Sequence, residues 1–118
     1  MLGLRFDTCN LLGLSFAFVG CQLNLSSFYG TKIRKTIFRN TQLQETDFVM
    51  CDLAGSIFDN CDLARASFEN TNLEKADFRT SFNYIIDPEI NRMKKARFSI
   101  LGVSGLLAKY DIEIDDSL

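Results

Sequence analysis

The chain has 118 residues and a mass of 13.4 kDa, enough for one compact domain and too little for two of ordinary size. Apolar residues make up 47 % and charged residues 24 %, with only seven glycines and one proline, which excludes a disordered or collagen-like chain. The net charge of −2 and the lack of histidine argue against binding to nucleic-acid phosphates and against the commonest acid–base and metal-binding chemistry.

The N-terminal segment has neither a signal-peptide pattern nor a run of 18 apolar residues, so we expect a cytoplasmic protein without a membrane partner. Its large apolar residues recur every five positions at Phe6, Leu11 and Phe16, two residues out of phase with the pattern that follows. Because strand alternation has a period of two, this shift keeps inward side chains inward. We predict a bulge or widened corner over residues 16–20, and either a second chain or further N-terminal repeats covering the open front edge.

From residue 18 to residue 78 every fifth residue is large and apolar. The thirteen positions are Phe18, Leu23, Phe28, Ile33, Phe38, Leu43, Phe48, Leu53, Phe58, Leu63, Phe68, Leu73 and Phe78. The residue two places before each is small, except Phe16, and the residue between them is mostly polar. Residues two apart in an extended chain face the same side, so small and large residues should point inward together.

A five-residue period fits neither a helix nor a straight strand, so the chain must turn a corner every five residues. Residue types that readily adopt turn geometry stand two places after many of the centres: Gly20, Gly30, Asn40, Gly55, Asn60 and Asn70. Phenylalanine alternates with leucine or isoleucine, which favours a coil with an even number of sides. We predict an all-β coil of four sides that stacks Phe18, Phe38, Phe58 and Phe78 in one column.

Three blocks resemble the pentapeptide-repeat family, whose consensus is a small residue, a polar residue, Leu or Phe, and two variable residues: Cys51-Asp52-Leu53-Ala54-Gly55, Cys61-Asp62-Leu63-Ala64-Arg65 and Ala76-Asp77-Phe78. The resemblance covers residues 16–80. It implies a right-handed quadrilateral β-helix (a pentapeptide-repeat solenoid), with a C-terminal segment that forms the dimer contact in related proteins. We expect the β-helix over residues 1–84 and a helical cap and tail over 85–118 of the same domain.

Some family members, the Qnr-type and mycobacterial fluoroquinolone-resistance proteins, act on DNA gyrase, a type II topoisomerase, as negatively charged rods that resemble duplex DNA. In this chain, residues 17–80 carry eight acids and seven bases, so the rod is nearly neutral and a poor phosphate mimic. It also has no long loop between residues 18 and 78, unlike several Qnr-type members. Topoisomerase protection is therefore the alternative function, behind protein binding.

The C-terminal part is predicted to be helical because Asn83 occupies a position where the repeat needs an apolar centre. Asp87 can cap a helix, Pro88 suits its first position, and Glu89 suits the positive end of its dipole, so we predict a helix through about residue 95.

A second helix should begin at Ser99 and cover the last coil with one apolar face: Ile100, Val103, Leu106, Leu107 and Tyr110. Gly102 and Gly105 weaken this helix. After it, apolar and acidic residues alternate from Asp111 to Asp116, and we expect Ile112 and Ile114 to be buried.

The polar residues do not predict an active site. Cys9, Cys21, Cys51 and Cys61 all occupy small inward positions, and Cys21 and Cys61 would lie two coils apart, roughly 9 to 10 Å, beyond disulfide reach. We therefore expect buried free thiols. Outward carboxylates fall on four different sides, so they cannot cooperate as an acid and a base: Asp47, Asp52, Asp62 and Asp77. We predict no enzyme activity, no cofactor and no metal.

Several outward apolar residues instead suggest a protein-binding surface. Ile37 and Ile57 occupy the same outward position one coil apart, beneath Ala17, and Tyr29, Val49 and Met50 cluster on another side. Scattered apolar residues are normal on surfaces, but a contiguous patch indicates binding. We predict a non-catalytic interaction or scaffold module, a homodimer, that binds an unidentified protein and makes no direct contact with nucleic acid.

Overall fold

The computed structural model describes residues 10–11 and 17–114. Its four short strands are β1 (Asn10–Leu11), β2 (Ala17–Val19), β3 (Ile37–Arg39) and β4 (Ile57–Asp59), in the sheet order β1-β2-β3-β4. Two 3₁₀-helices follow, Ile100–Leu106 and Ala108–Tyr110. Among the described residues, no helix combines the length and apolar character that a membrane crossing needs.

Strands β2, β3 and β4 pair in parallel, and each residue pairs with the residue twenty positions later. Phe38, for example, pairs with both Phe18 and Phe58. Single bridges repeat the same offset on the segments between the strands: Gln22 with Gln42, Ser27 with Asp47, and Lys32 with Asp52. The chain therefore returns to the same place after four segments of five residues, which is the period that the side-chain alternation predicts.

A corner with positive φ ends each five-residue segment. Every fifth residue from 20 to 75 has φ between 51° and 72°. Glycine and asparagine were expected there, yet Leu25, Glu45 and Met50 adopt the same backbone. This conformation costs an L-residue roughly 1 kcal/mol or more, and it persists because backbone hydrogen bonds to the next coil fix both sides of the corner.

The interior of the coil is filled with side chains. Of the thirteen repeat centres, twelve are buried and Ile33 is half-buried. In the column that begins at Phe18, neighbouring rings stack with centroids 5.1, 4.9 and 4.7 Å apart. The rings of Phe28, Phe48 and Phe68 stack in a second column and meet the first edge-on. Edge-to-face and offset pairs of this kind add to the stability gained from burial.

The small inward residues bond one coil to the preceding one. Thr41 Oγ1 donates to Phe18 O, and Thr46 Oγ1 donates to Leu23 O, both at 3.1 Å. The Cys61 thiol donates to Phe38 O at 3.2 Å. Each bond joins residues 23 positions apart, so a buried polar group is satisfied by the adjacent coil.

At the front edge, the backbone edge of β2 is not left open for a second chain or further repeats, contrary to expectation. β1 pairs antiparallel with β2, with Asn10 opposite Val19 and Leu11 opposite Phe18. An antiparallel partner therefore occupies the free backbone edge of β2. Ala17–Val19 is a regular strand followed by a corner at Gly20, so the described part of 16–20 contains no bulge; Phe6 and Phe16 lie outside the described residues.

At the other end, the helix predicted to start at Asp87 is absent, and the coil continues instead. Asp87 Oδ1 accepts a hydrogen bond from Glu89 N, and Ile90 N donates to Asp87 O, so Asp87 and Pro88 belong to a turn. The residue types of an N-cap and of such a turn are the same, because both use a side-chain oxygen to accept from a nearby amide. Beyond it, Arg92 pairs with Asn72 and Arg97 with Asp77.

The predicted second helix exists as a 3₁₀-helix, and a different face of it is packed. Ser99 caps Ile100–Leu106 by accepting from Gly102 N. The glycine side lies against the coil: a Cβ on Gly102 would fall 1.8 Å from the Tyr84 hydroxyl. Of the apolar residues expected to cover the coil, Leu106 packs against the core, whereas Ile100, Val103 and Tyr110 turn outward.

The exposed fractions of the apolar side chains show this difference. Ile100 is 91 % exposed, and Val103 and Tyr110 are also exposed, while Leu106 and Leu107 are half-buried. The expectation that Ile112 and Ile114 are buried is wrong as well. They are 56 % and 50 % exposed, since residues 111–114 form no ladder with the coil.

Candidate interaction surfaces

The outward isoleucine pair lies where the repeat places it. Ile37 and Ile57 are directly paired on β3 and β4, and Ala17 occupies the same position on β2. Ile37 is half-buried and Ile57 is 36 % exposed. Three neighbouring strands therefore carry a short apolar strip on one side of the coil.

A second apolar group lies on another side. The twenty-residue offset places Val49 beside Tyr29, and Gly30 N donates to Val49 O at 3.0 Å. Tyr29 and Met50 are exposed, and Val49 is half-buried. Because Gly30, at the equivalent corner of the adjacent coil, has no side chain, Met50 stays exposed.

The outward carboxylates stay on separate sides and are held by local bonds. Although burial opposes the charge on Asp62, hydrogen bonds from Gln44, Asn83 and the Ala64 amide lower the pKa of this carboxyl. The Arg79 guanidinium likewise lowers the pKa of Asp77. No cluster of three or more cysteine or carboxylate side chains suited to a metal occurs within 10–11 and 17–114.

Arginines neutralise much of the acidic charge on the coil. Five acids form ion pairs with them: Glu45 with Arg65, Asp52 with Arg34, Asp59 with Arg39, Glu74 with Arg92, and Asp77 with Arg79. The arginines in these pairs are largely exposed, so the pairs add little stability. Their effect is to leave few uncompensated negative charges along the rod.

The cysteines are mostly inert. Cys51 and Cys61 are buried free thiols, and burial raises the pKa of Cys51 above its ordinary value of 9.0 and that of Cys61 to about 11. Cys21 is disulfide-bonded, so the expectation of a free thiol is wrong there. That expectation weighed only the separation between Cys21 and Cys61. Cys9 lies outside the described residues.

A cavity of about 680 Å³ lies between the last coil and the first 3₁₀-helix. Tyr84 and Ile85 line one side, and Ser99 and Leu101 line the other. Among its lining residues, Leu101 is 87 % exposed and Ile85 is 64 % exposed. Most of the large apolar side chains that the described residues expose lie between residues 82 and 114.

The sequence pattern was not interpreted as a further coil after residue 84, although the repeat itself contains a signal for it. Met93 and Phe98 keep the five-residue phase of Phe78, and the small residue Ala96 stands two places before Phe98. Asn83 and Pro88 interrupt the phase between them, and the chain bridges that gap with an irregular loop. Because Asn83 and Pro88 do not fit the repeat, the fit of Met93 and Phe98 was overlooked.

Comparison with known proteins detects the same five-residue repeat. The chain matches the family model of a pentapeptide repeat region over residues 3–79. Among solved structures, a trypsin-treated form of QnrB1, a plasmid-mediated fluoroquinolone resistance protein, is similar at 14 % identity over 84 % of this chain and 70 % of that chain, with a TM-score of 0.27. Rfr23, a pentapeptide repeat protein from the cyanobacterium Cyanothece 51142, is similar at 21 % identity over 72 % of this chain and 61 % of that chain, with a TM-score of 0.31.

No curated protein matches this sequence. The family model, by contrast, spans well over half of its residues, and the five-residue repeat that it describes is the repeat that forms the coil. The chain belongs to the pentapeptide-repeat family.

Proposed function

We propose that this protein is a non-catalytic protein–protein interaction module. It presents its binding groups on the outside of a right-handed quadrilateral β-helix and works as a homodimer in the cytoplasm. The interior of the coil is occupied by packed side chains, so recognition falls to the outer faces and the ends.

The observation that carries this proposal is the strip formed by Ile37 and Ile57. Strand pairing fixes the two side chains next to each other on a rigid surface, and a partner that covers them regains the free energy of burying apolar area. Neighbouring charged residues, such as the Arg39–Asp59 pair, form a polar rim at the same strands.

The dimer is supported by the C-terminal end. Phe82, Ile85 and Leu101 expose large apolar side chains around one cavity. Exposed apolar patches of this kind are typical of protein contacts. A second copy meeting this end through a two-fold axis would cover the same residues on both chains.

The test is affinity capture with purified full-length protein, using the double variant Ile37→Thr/Ile57→Thr. Threonine keeps the β-branched shape that suits a strand and removes most of the apolar surface. We expect loss of the partner that the wild type captures, with an unchanged circular-dichroism spectrum.

The matched control is Leu25→Asn, which removes an exposed apolar side chain at a distant corner with φ of 64°. It should capture the same partner as the wild type. Equal capture by all three proteins would overturn the assignment of the strip.

The alternative partner is DNA gyrase. The ion pairs described above argue against a rod that imitates duplex DNA, because its acids are largely compensated. A gyrase supercoiling assay with and without a quinolone separates the two: we expect no protection, and a dose-dependent protection would replace the interaction-module proposal.

A further inference from the structure

A groove of about 430 Å³ with basic walls runs along one corner of the last coils. Its lining residues are Gly55, Ile57, Lys75, Asp77, Lys95 and Arg97. The twenty-residue offset places Lys35, Gly55, Lys75 and Lys95 at equivalent corners, each with positive φ. We call these six lining residues the basic groove.

The cations of the basic groove outnumber its one carboxylate. Within the described residues, Lys75, Lys95 and Arg97 form no ion pair at contact distance. The carboxylate is that of Asp77, which lies 2.9 Å from Arg79 Nη2 and whose pKa is lowered by Arg79 and, more weakly, by the charge of Arg97. Lys75 and Lys95 occupy adjacent coils, about 4.8 Å apart along the backbone, so their like charges repel until an anion lies between them.

One large apolar side chain, that of Ile57, lines the groove, and Gly55 has no side chain to fill it. An apolar side chain among cationic ones suits an extended segment that alternates apolar and acidic residues. A bare phosphate group would leave Ile57 without a partner.

Such a segment is present in this chain at its C-terminal end, Asp111 to Leu118, which reads DIEIDDSL. Ile112 and Ile114 are exposed, and neither Asp111 nor Glu113 forms an ion pair within the described residues. The segment therefore carries acidic charge that complements the cations of the basic groove, and apolar side chains that can cover Ile57.

We propose that the basic groove binds the acidic C-terminal segment of a second copy of this chain. The proposal rests on the homodimer of the proposed function and adds to it the surface that holds the tail. Lys75, Lys95 and Arg97 belong to the last coils, and the tail leaves from the same end of the molecule. Two copies meeting at that end would each place a tail in the other's groove, which closes the assembly.

The first test is the dimer dissociation constant by sedimentation equilibrium. Lys75→Glu/Lys95→Glu should raise it at least tenfold, because both grooves then repel the tails. Glu45 shows that this corner backbone accepts glutamate, with φ of 55°. Adding Asp115→Lys/Asp116→Lys to the same chain should restore dimerisation.

The matched control is Arg65→Glu, compared with the single variant Lys75→Glu. Both residues are corners with φ of 61°, but Arg65 lies outside the groove. Arg65→Glu should leave the dissociation constant within threefold of the wild type. A monomeric wild type, a dimer insensitive to Lys75→Glu/Lys95→Glu, or a failed charge-reversal rescue would each overturn the proposal.

The second test locates the contact. A zero-length carbodiimide applied to mixed ¹⁴N- and ¹⁵N-labelled full-length protein should join Lys75 or Lys95 to Asp115 or Asp116 of differently labelled chains. Links only within one chain would overturn the exchange. Because Ile57 lines both the strip and the basic groove, capture is repeated with Ile37→Thr alone, a residue outside the groove. Loss of capture by Ile37→Thr with an unchanged dimer dissociation constant supports the interaction module whatever the groove variants do, so failure of the groove and failure of the module are distinguishable.

Discussion

Phe98 lies flat against Phe78, with ring centroids 5.3 Å apart and parallel planes. This contact adds a fifth ring to the column that begins at Phe18. Tyr84 tilts against both rings, at 5.6 Å from each centroid, and joins the irregular loop to the end of the column. The last coil is therefore held by the same aromatic stacking as the others, although its sequence departs from the repeat.

Replacing Phe98 with alanine should destabilise the protein by about 2–3 kcal/mol, less than a fully buried phenylalanine costs because Phe98 is half-buried. Urea unfolding followed by circular dichroism measures the change. Ile100→Ala, at a nearby residue that is almost fully exposed, should change the free energy of unfolding by less than about 0.5 kcal/mol. Equal effects of the two substitutions would contradict the role of the column.

The interior of the coil was predictable because one local rule repeats. A large residue at Phe38 or Leu43 must point inward wherever the neighbouring coil has the same spacing, so the side-chain column and the backbone pairing specify each other. The outward apolar pair Ile37 and Ile57 followed from the same rule.

The two ends were not predictable in the same way, because their structure depends on single contacts. Asp87 reads as a helix cap, but its carboxylate closes a turn that lets Arg92 rejoin the ladder. The 3₁₀-helix faces the coil with Gly102 and Gly105 because Tyr84 occupies the space that larger side chains would need. Periodicity contains no information about either contact.

Gly105→Ala should detach the first 3₁₀-helix from the coil. A Cβ at residue 105 would lie 2.1 Å from Tyr84 O, a backbone atom that cannot move aside. The hydrogen bond from Ile86 N to Gly105 O, 3.0 Å long, should then break. Hydrogen exchange at the Ile86 amide should accelerate at least tenfold, whereas Val103→Ala, on the exposed side, should leave it unchanged. Unaltered protection in Gly105→Ala would show that the glycine contact is not required.

Thr46→Val should cost about 1 kcal/mol or more, although it changes the shape of the side chain little. The substitution removes the hydroxyl that donates to Leu23 O in the preceding coil, which leaves a buried carbonyl with one bond fewer. Chemical unfolding measures the loss, and Thr46→Ser should recover most of it. Thr80→Val, whose hydroxyl bonds to Asp59 at the exposed surface, should have an effect below about 0.5 kcal/mol. A neutral Thr46→Val would mean that the hydroxyl adds nothing to the backbone bonds and apolar packing that join the coils.

Ionisation of the Cys61 thiol should lower the free energy of unfolding as the pH rises above 9. Burial raises the pKa of its thiol from 9.0 to about 11. Below pH 9 the thiol is protonated in both the folded and the unfolded chain, so its contribution to stability is fully present. Between pH 9 and about 11 the unfolded thiol ionises while the folded one does not, and unfolding becomes more favourable by about 2–3 kcal/mol in total.

The measurement is the free energy of unfolding of the wild type and of Cys61→Ala at pH 8 and pH 10.5. Alanine occupies the same inward position at Ala66 and Ala76, so the variant should fold. Other groups titrate in this range, and subtracting one protein from the other removes their effect. The stability difference between wild type and variant should fall by about 2 kcal/mol across the interval. A difference that stays constant with pH would show that the Cys61 thiol reaches solvent in the folded state.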